Sequence, residues 1–146
     1  MTNKIIVGWR ESLSLPELGI KLIKAKVDTG AKTSCLHAFK VEPFTKDGED
    51  WVRFWIHPEK RNNDFVQICE APIVDRRKVK SSSGQEELRY VIKTTIRISG
   101  QEWPVEITLS NRETMVFRML LGRTAMQDRI VVDPSSSYLV DFEETV

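Results

Sequence analysis

In Ile23-Lys24-Ala25-Lys26-Val27-Asp28-Thr29-Gly30-Ala31 a half-buried strand runs straight into a loop rich in chemistry. Ile23, Ala25 and Val27 share one face and the two lysines the other, which is the period of a β-strand with one dry side. The carboxylate of Asp28 then stands at the strand end. Thr29 can bond across to a second loop. Gly30 lets the backbone turn sharply or approach a ligand without a Cβ, and Ala31 keeps the floor of the loop small. Asp28, Thr29 and Gly30 also suit a plain surface turn, so the loop alone does not decide between a site and a connection.

The same alternation recurs outward from this stretch. Val52, Phe54 and Ile56 alternate with Trp51, Arg53 and Trp55. Strands are expected at about 51–56, 88–98 and 102–109, with Ser99-Gly100 as the hairpin turn between the last two. Helical periodicity is scarce: a short helix over Arg123 to Asp128, and one turn near Leu15 to Leu18. The chain reads as a single mainly β domain over 1–146, closed or nearly closed into a barrel, with one short helix late in the chain.

Composition excludes several classes. The 146 residues, 40% of them apolar and 29% charged, suit one soluble domain with a core. No apolar run is long enough for a membrane helix, and Met1 to Trp9 lacks the pattern of a secretory leader, so no membrane partner and a cytoplasmic location are expected. A balance of 22 basic against 21 acidic residues gives no global grip on nucleic acid. Two cysteines, Cys35 and Cys69, are too few for a disulfide scaffold.

Two further elements give the Asp28 loop a context. Met119-Leu120-Leu121-Gly122-Arg123 is an apolar run, then glycine, then arginine entering the short helix. Between the two lies a candidate flap: a strand from about Ile73, a tip at Ser81-Ser82-Ser83-Gly84, and a return strand from Leu88. Together these resemble the single-domain aspartic proteases of retroviruses, the retropepsins. Val7-Gly8-Trp9-Arg10-Glu11, Leu15-Pro16-Glu17-Leu18-Gly19-Ile20, Ala25 to Ser34, Leu121-Gly122-Arg123-Thr124-Ala125 and Val132-Asp133-Pro134-Ser135 are similar to a bacterial family. That family goes under the name of ATP-dependent zinc proteases, is thought to be retropepsin-like, and occurs beside the RimK glutamate ligase. The resemblance covers nearly the whole chain.

It implies Asp28, Thr29 and Gly30 as the catalytic loop, with Gly122 packed beside it as structural support. It implies Ala31, Lys32, Ser82, Ser83, Gly84 and Arg123 around the substrate. The interval from Asp28 to the flap exceeds that of a small retropepsin, and an added hairpin at about 51–71 accounts for the excess.

Peptide hydrolysis of this kind needs two carboxylates sharing one proton, and the chain has one Asp-Thr-Gly. A second copy is the simplest source of the other. Lys4–Val7 and Tyr138–Phe142, as strand-like chain ends, are candidates for the contact between copies, as they are in retropepsins.

No cofactor is expected. Gly30-Ala31-Lys32-Thr33-Ser34 is not a phosphate loop, because that loop needs Gly and Lys adjacent and Ala31 precedes Lys32. Cys35, His37, His57 and Cys69 make a Cys2His2 zinc site arithmetically possible, with a zinc-dependent hydrolase as the corresponding alternative, though the spacing matches no usual module. A non-catalytic adaptor on the same fold is the other alternative. Arg76, Arg77, Lys78 and Lys80 on the outgoing flap arm, with Lys32 and Arg123, would edge a groove with cations. Such a groove favours acidic, glutamate-rich protein tails, consistent with a functional link to a RimK-type ligase.

Overall fold

The computed structural model describes residues 4–58, 65–80, 84–111 and 117–140. Eleven strands are assigned: β1 Ile5–Val7, β2 Arg10–Leu15, β3 Ile20–Val27, β4 Ser34–His37, β5 Lys40–Lys46, β6 Glu49–Ile56, β7 Gln67–Lys80, β8 Glu86–Ile98, β9 Gln101–Ser110, β10 Met119–Leu121 and β11 Ile130–Val132. Pro16–Leu18 forms a 3-10 turn, and the one α-helix among the described residues, α1, spans Arg123–Met126. No helix among the described residues is long and apolar enough to cross a membrane.

Nine strands form one sheet in the order β2-β3-β10-β4-β9-β8-β7-β6-β5. A pairing of Ser14 with Arg97 joins β2 to β8, so six of the strands curl into a ring. The ring closes on the dry faces that the alternation marks out. Leu13, Ile23, Ala25, Leu36, Ile96, Ile107, Met119 and Leu121 all lie in this core. The two-residue Ser99-Gly100 turn has positive φ at both positions, 53° and 73°. That geometry matches the twist of the β8–β9 hairpin it joins.

The expected helix is shorter than the sequence suggests, because Gln127 leaves the helical conformation. The added region is also larger than one hairpin. β6 pairs on one side with β7 and on the other with β5, joined to it through Asp47-Gly48. β5 escapes sequence reading because it is an edge strand with only Val41 and Phe44 half-buried and carries Pro43. Proline and flanking lysines are what an unpaired edge tolerates.

Trp51, Arg53 and Trp55 share a sheet face, on which Lys46 stacks over Trp51 and Lys40 over Trp55. The rings are therefore covered by the chain's own cations rather than bare. The flap hairpin is formed by the far half of β7 and the near half of β8, in register from Asp75↔Val91 to Lys80↔Glu86. Ser82 and Ser83 lie outside the described residues. Gly84, exposed with φ 86°, stands where the return arm begins.

Candidate active site

β3 delivers Asp28 to the end of the ring, where β3 runs parallel to β10 with Val27 opposite Leu121. The pairing continues one residue into the loop: the Asp28 N–H donates to the Leu121 carbonyl at 2.9 Å. The loop then closes on itself. Gly30 N–H donates to Asp28 Oδ1 at 3.0 Å, and Ala31 N–H to the Asp28 carbonyl at 3.2 Å. One carboxylate oxygen is thus oriented by the loop, and Asp28 remains half-buried at the surface.

The segment after β10 is bound to the same loop. Arg123 N–H donates to the Ala31 carbonyl at 2.8 Å and Thr124 N–H to the Lys32 carbonyl at 3.0 Å. The Arg123 guanidinium Nη1 reaches back to the Thr29 carbonyl at 3.0 Å. The residue named for substrate contact therefore holds the loop backbone as well.

Gly122 lies against this loop so closely that any Cβ would stand 2.5 Å from the Thr33 carbonyl carbon and 2.8 Å from Ser34 N. The contact falls on Thr33 and Ser34, just past Ala31. Its N–H donates to the buried Ser34 Oγ at 2.9 Å. Ser34 was not singled out from the sequence. The signal available was only a small hydroxyl residue opening a buried strand.

Two grooves flank the loop. One, of about 350 Å³, is lined by Lys32, Thr33, Thr124, Arg77 and Glu106. Arg77 is tied there to Asp75 at 2.7 Å and Glu106 at 3.0 Å. The bonds from Arg77 and from the Arg76 N–H hold the Asp75 carboxyl below its ordinary range, and both carboxylates raise Arg77. Arg76 is likewise paired with Asp50. Two of the expected flap cations are therefore neutralised by the chain itself, whereas Lys32 has no ion-pair partner among the described residues. The other groove, of about 510 Å³, is lined by Thr29, Met126, Ile130 and Val132 among others.

The four possible zinc ligands are not brought together. Cys35 and His37 lie on β4. Cys69 lies on β7, its Sγ 3.5 Å from the Leu18 carbonyl, with burial pushing the thiol up to about 12. His57 stacks on Phe39 at 4.3 Å beyond the end of β6. Among the described residues no three His, Cys, Asp or Glu side chains are grouped to hold a metal.

The chain ends differ from the expectation drawn from retropepsins. β1 pairs with β11 of its own chain, Ile5↔Ile130 through Val7↔Val132. Beyond β11, Tyr138 N–H donates to the Arg10 carbonyl, and Leu139 and Val140 N–H donate to the buried Glu11 carboxylate at 2.7 and 3.2 Å. The ends are held in cis, with the buried Glu11 oxygens needing hydrogen-bond donors. The Leu139, Val140 and Gly8 N–H groups are the donors at hand.

A family model described as the retropepsin-like aspartic endopeptidase RimB matches residues 6–143. The chain belongs to the RimB-like family. It is also 48% identical over 136 residues to a probable alpha-L-glutamate ligase of Shewanella pealeana, covering 93% of this chain and 30% of that protein. A protein of the same name from Desulfotalea psychrophila is 50% identical over 132 residues, 90% of this chain and 28% of that one. The chain thus spans less than a third of these relatives. A solved structure from Legionella pneumophila, of unknown function, aligns with TM-score 0.79 at 27% identity, covering 94% of this chain and 98% of that one.

Proposed function

We propose that this RimB-like chain is one half of an aspartic endopeptidase, completed by a second copy, and that it acts on acidic, glutamate-rich protein tails. The observation that carries the reading is Asp28 at the mouth of the ring, held by the Asp-Thr-Gly loop and braced by Gly122 and Arg123. Two such carboxylates about 3 Å apart cannot both ionise and share one proton. The ionised member takes a proton from the attacking water. The protonated member donates to the carbonyl oxygen of the scissile bond. Thr29 and Gly30 shape the loop, Ala31 and Lys32 border the substrate, and the hairpin of β7 and β8 stands over it.

Lys32, beside the loop and with no ion-pair partner among the described residues, supports an acidic substrate. A functional link to a RimK-type ligase is supported by the ligase-named relatives, of which this chain resembles less than a third. The same relatives favour a second reading, an adaptor module that serves a ligase without hydrolysis.

Replacing Asp28 with Asn separates the two. The variant should keep its fold by circular dichroism and lose peptide hydrolysis by about a thousandfold or more, since an amide neither accepts nor donates the proton. A folded Asp28→Asn protein that cleaves a glutamate-rich peptide at the wild-type rate would reject the aspartic reading. Retained partner binding without wild-type hydrolysis would favour the adaptor.

A further inference from the structure

Three cations without a carboxylate partner among the described residues stand together on β2 and β3. In the register of the two strands Arg10 lies directly opposite Lys26, and Ser12 opposite Lys24. Glu11, Leu13, Ile23, Ala25 and Val27 are buried on the other face, so Arg10, Lys24 and Lys26 share the outward one. Lys24 and Lys26 are exposed there and Arg10 is half-buried. The pairing of β3 with β10 carries on through the Asp28 N–H. The same alternation therefore sets the Asp28 side chain on this face, two residues beyond Lys26.

Like charges set directly opposite each other destabilise a sheet. Glu11, next to Arg10, does not relieve them, because it is taken up by the Gly8, Leu139 and Val140 N–H groups. Aromatic rings hold the cations instead. The Arg10 guanidinium lies 4.6 Å from the Trp9 ring and 5.0 Å from the Tyr138 ring, and Lys24 Nζ lies 5.7 Å from the same tyrosine. Tyr138 is fixed in place, since its N–H donates to the Arg10 carbonyl. A ring face steadies a cation and leaves its charge unneutralised. The arginines of β7 and β8 are treated differently: Arg76, Arg77, Arg89 and Arg97 all face acids of this chain.

An extended glutamate chain presents every second carboxylate on one side, about 7 Å apart, which is also the spacing of Lys24 and Lys26 along β3. A net charge of +1 gives the molecule as a whole no comparable field, which favours a short acidic peptide over a long polyanion. We infer that the outward face of β2 and β3 is the specificity surface of the proposed peptidase. Lys26 and Lys24 take alternate glutamate carboxylates on one side of the scissile bond, and Arg10, held between Trp9 and Tyr138, offers a preset guanidinium beside them. The inference rests on the acidic-substrate reading above and names the residues that read the acid, in place of the flap arginines.

Binding of fluorescein-labelled hexaglutamate to the full Asp28→Asn chain, followed by anisotropy, tests the face apart from hydrolysis. Lys24→Glu and Lys26→Glu should each weaken binding by roughly tenfold or more, and Arg10→Gln by about tenfold. Lys46→Glu, the same change of net charge on the β5–β6 hairpin, should leave it unaltered. With Asp28 intact, Lys24→Glu should raise KM for a glutamate-rich peptide more than it lowers kcat, and should narrow the preference over the glutamine counterpart. Lys24 and Lys26 are exposed and carry the test if Arg10→Gln does not fold. The face is overturned if hexaglutamate fails to bind at millimolar concentration, or if folded Lys24→Glu and Lys26→Glu chains bind it like the parent. It is also overturned if Lys46→Glu weakens binding equally, or if an RNA oligomer of equal charge competes as well as the peptide. Binding that obeys these charges while Asp28→Asn still hydrolyses would retain the face and reject the aspartic reading. Charge-blind binding with hydrolysis lost in Asp28→Asn would do the reverse.

Discussion

Gly122 shows how far one residue constrains the candidate site. Its N–H is spent on Ser34 Oγ, and its missing Cβ is the space that Thr33 and Ser34 occupy. Gly122→Ala puts a carbon 2.5 Å from backbone that cannot swing aside, and overpacking of this kind costs about 3 kcal/mol. The cost should appear as a lower denaturation midpoint and, in whatever stays folded, a lower kcat. Ser34→Ala should cost less, about 1–2 kcal/mol, since it removes one acceptor from a buried N–H without forcing the loop apart. Equal stability of Gly122→Ala and wild type in urea would contradict the packing argument.

The elements around the N-terminal strands depend on a carboxylate as well as on the buried apolar contacts of Ile5 and Val7. Glu11, 1% exposed, accepts from Gly8, Leu139 and Val140 N–H groups. Gly8 fits the same junction, since a Cβ there would stand 2.1 Å from the Ser136 carbonyl oxygen. Glu11→Ala leaves those donors without their acceptor and should cost about 3 kcal/mol. Hydrogen exchange should show the loss at Leu139 and Val140 first, and unchanged protection there would refute the clamp.

Asp133 anchors the turn just after β11. Bonds from Ser135 and Ser136 hold its pKa below the ordinary value. A carboxyl depressed in the folded state stabilises above its unfolded pKa, and that contribution is lost as pH falls through the folded one. Asp133→Asn should therefore flatten the acid side of the stability–pH curve and leave neutral-pH differences between the two proteins constant. An acid limb identical to wild type would count against this turn.

At the scale of the whole molecule, one Asp-Thr-Gly per chain ties activity to concentration. On the proposed reading, specific activity falls on dilution with the same midpoint as the dimer signal, while circular dichroism stays constant because each copy is folded by itself. Chelation with EDTA should leave the rate unchanged, since no step of the two-carboxylate mechanism uses a metal. Full activity in a dilute, monomeric sample would require a second carboxylate from within the chain. Loss in EDTA with recovery on adding zinc would instead return attention to Cys35, His37, His57 and Cys69.

Period-two alternation was enough to place β3, β6, β8 and β9, because a strand with one dry face must alternate and its neighbours in sequence supply the turns. The strand-to-loop step at Val27-Asp28 and the apolar run ending at Gly122 were also legible, since both use residue types that local geometry demands. β5 was not, because an exposed edge strand has no dry face to write into the sequence. Nor was the role of Glu11, two of whose partners lie 128 and 129 residues away and are backbone groups that almost any residue type supplies. The sequence by itself determined the alternating strands, the loop and the single Asp-Thr-Gly per chain. Only the tertiary structure decided that β1 and β11 pair in cis, that Arg123 braces Thr29, and that Arg76 and Arg77 are consumed by nearby acids. Those outcomes depend on which distant segments the closing ring brings within hydrogen-bonding reach, and local periodicity carries no record of that.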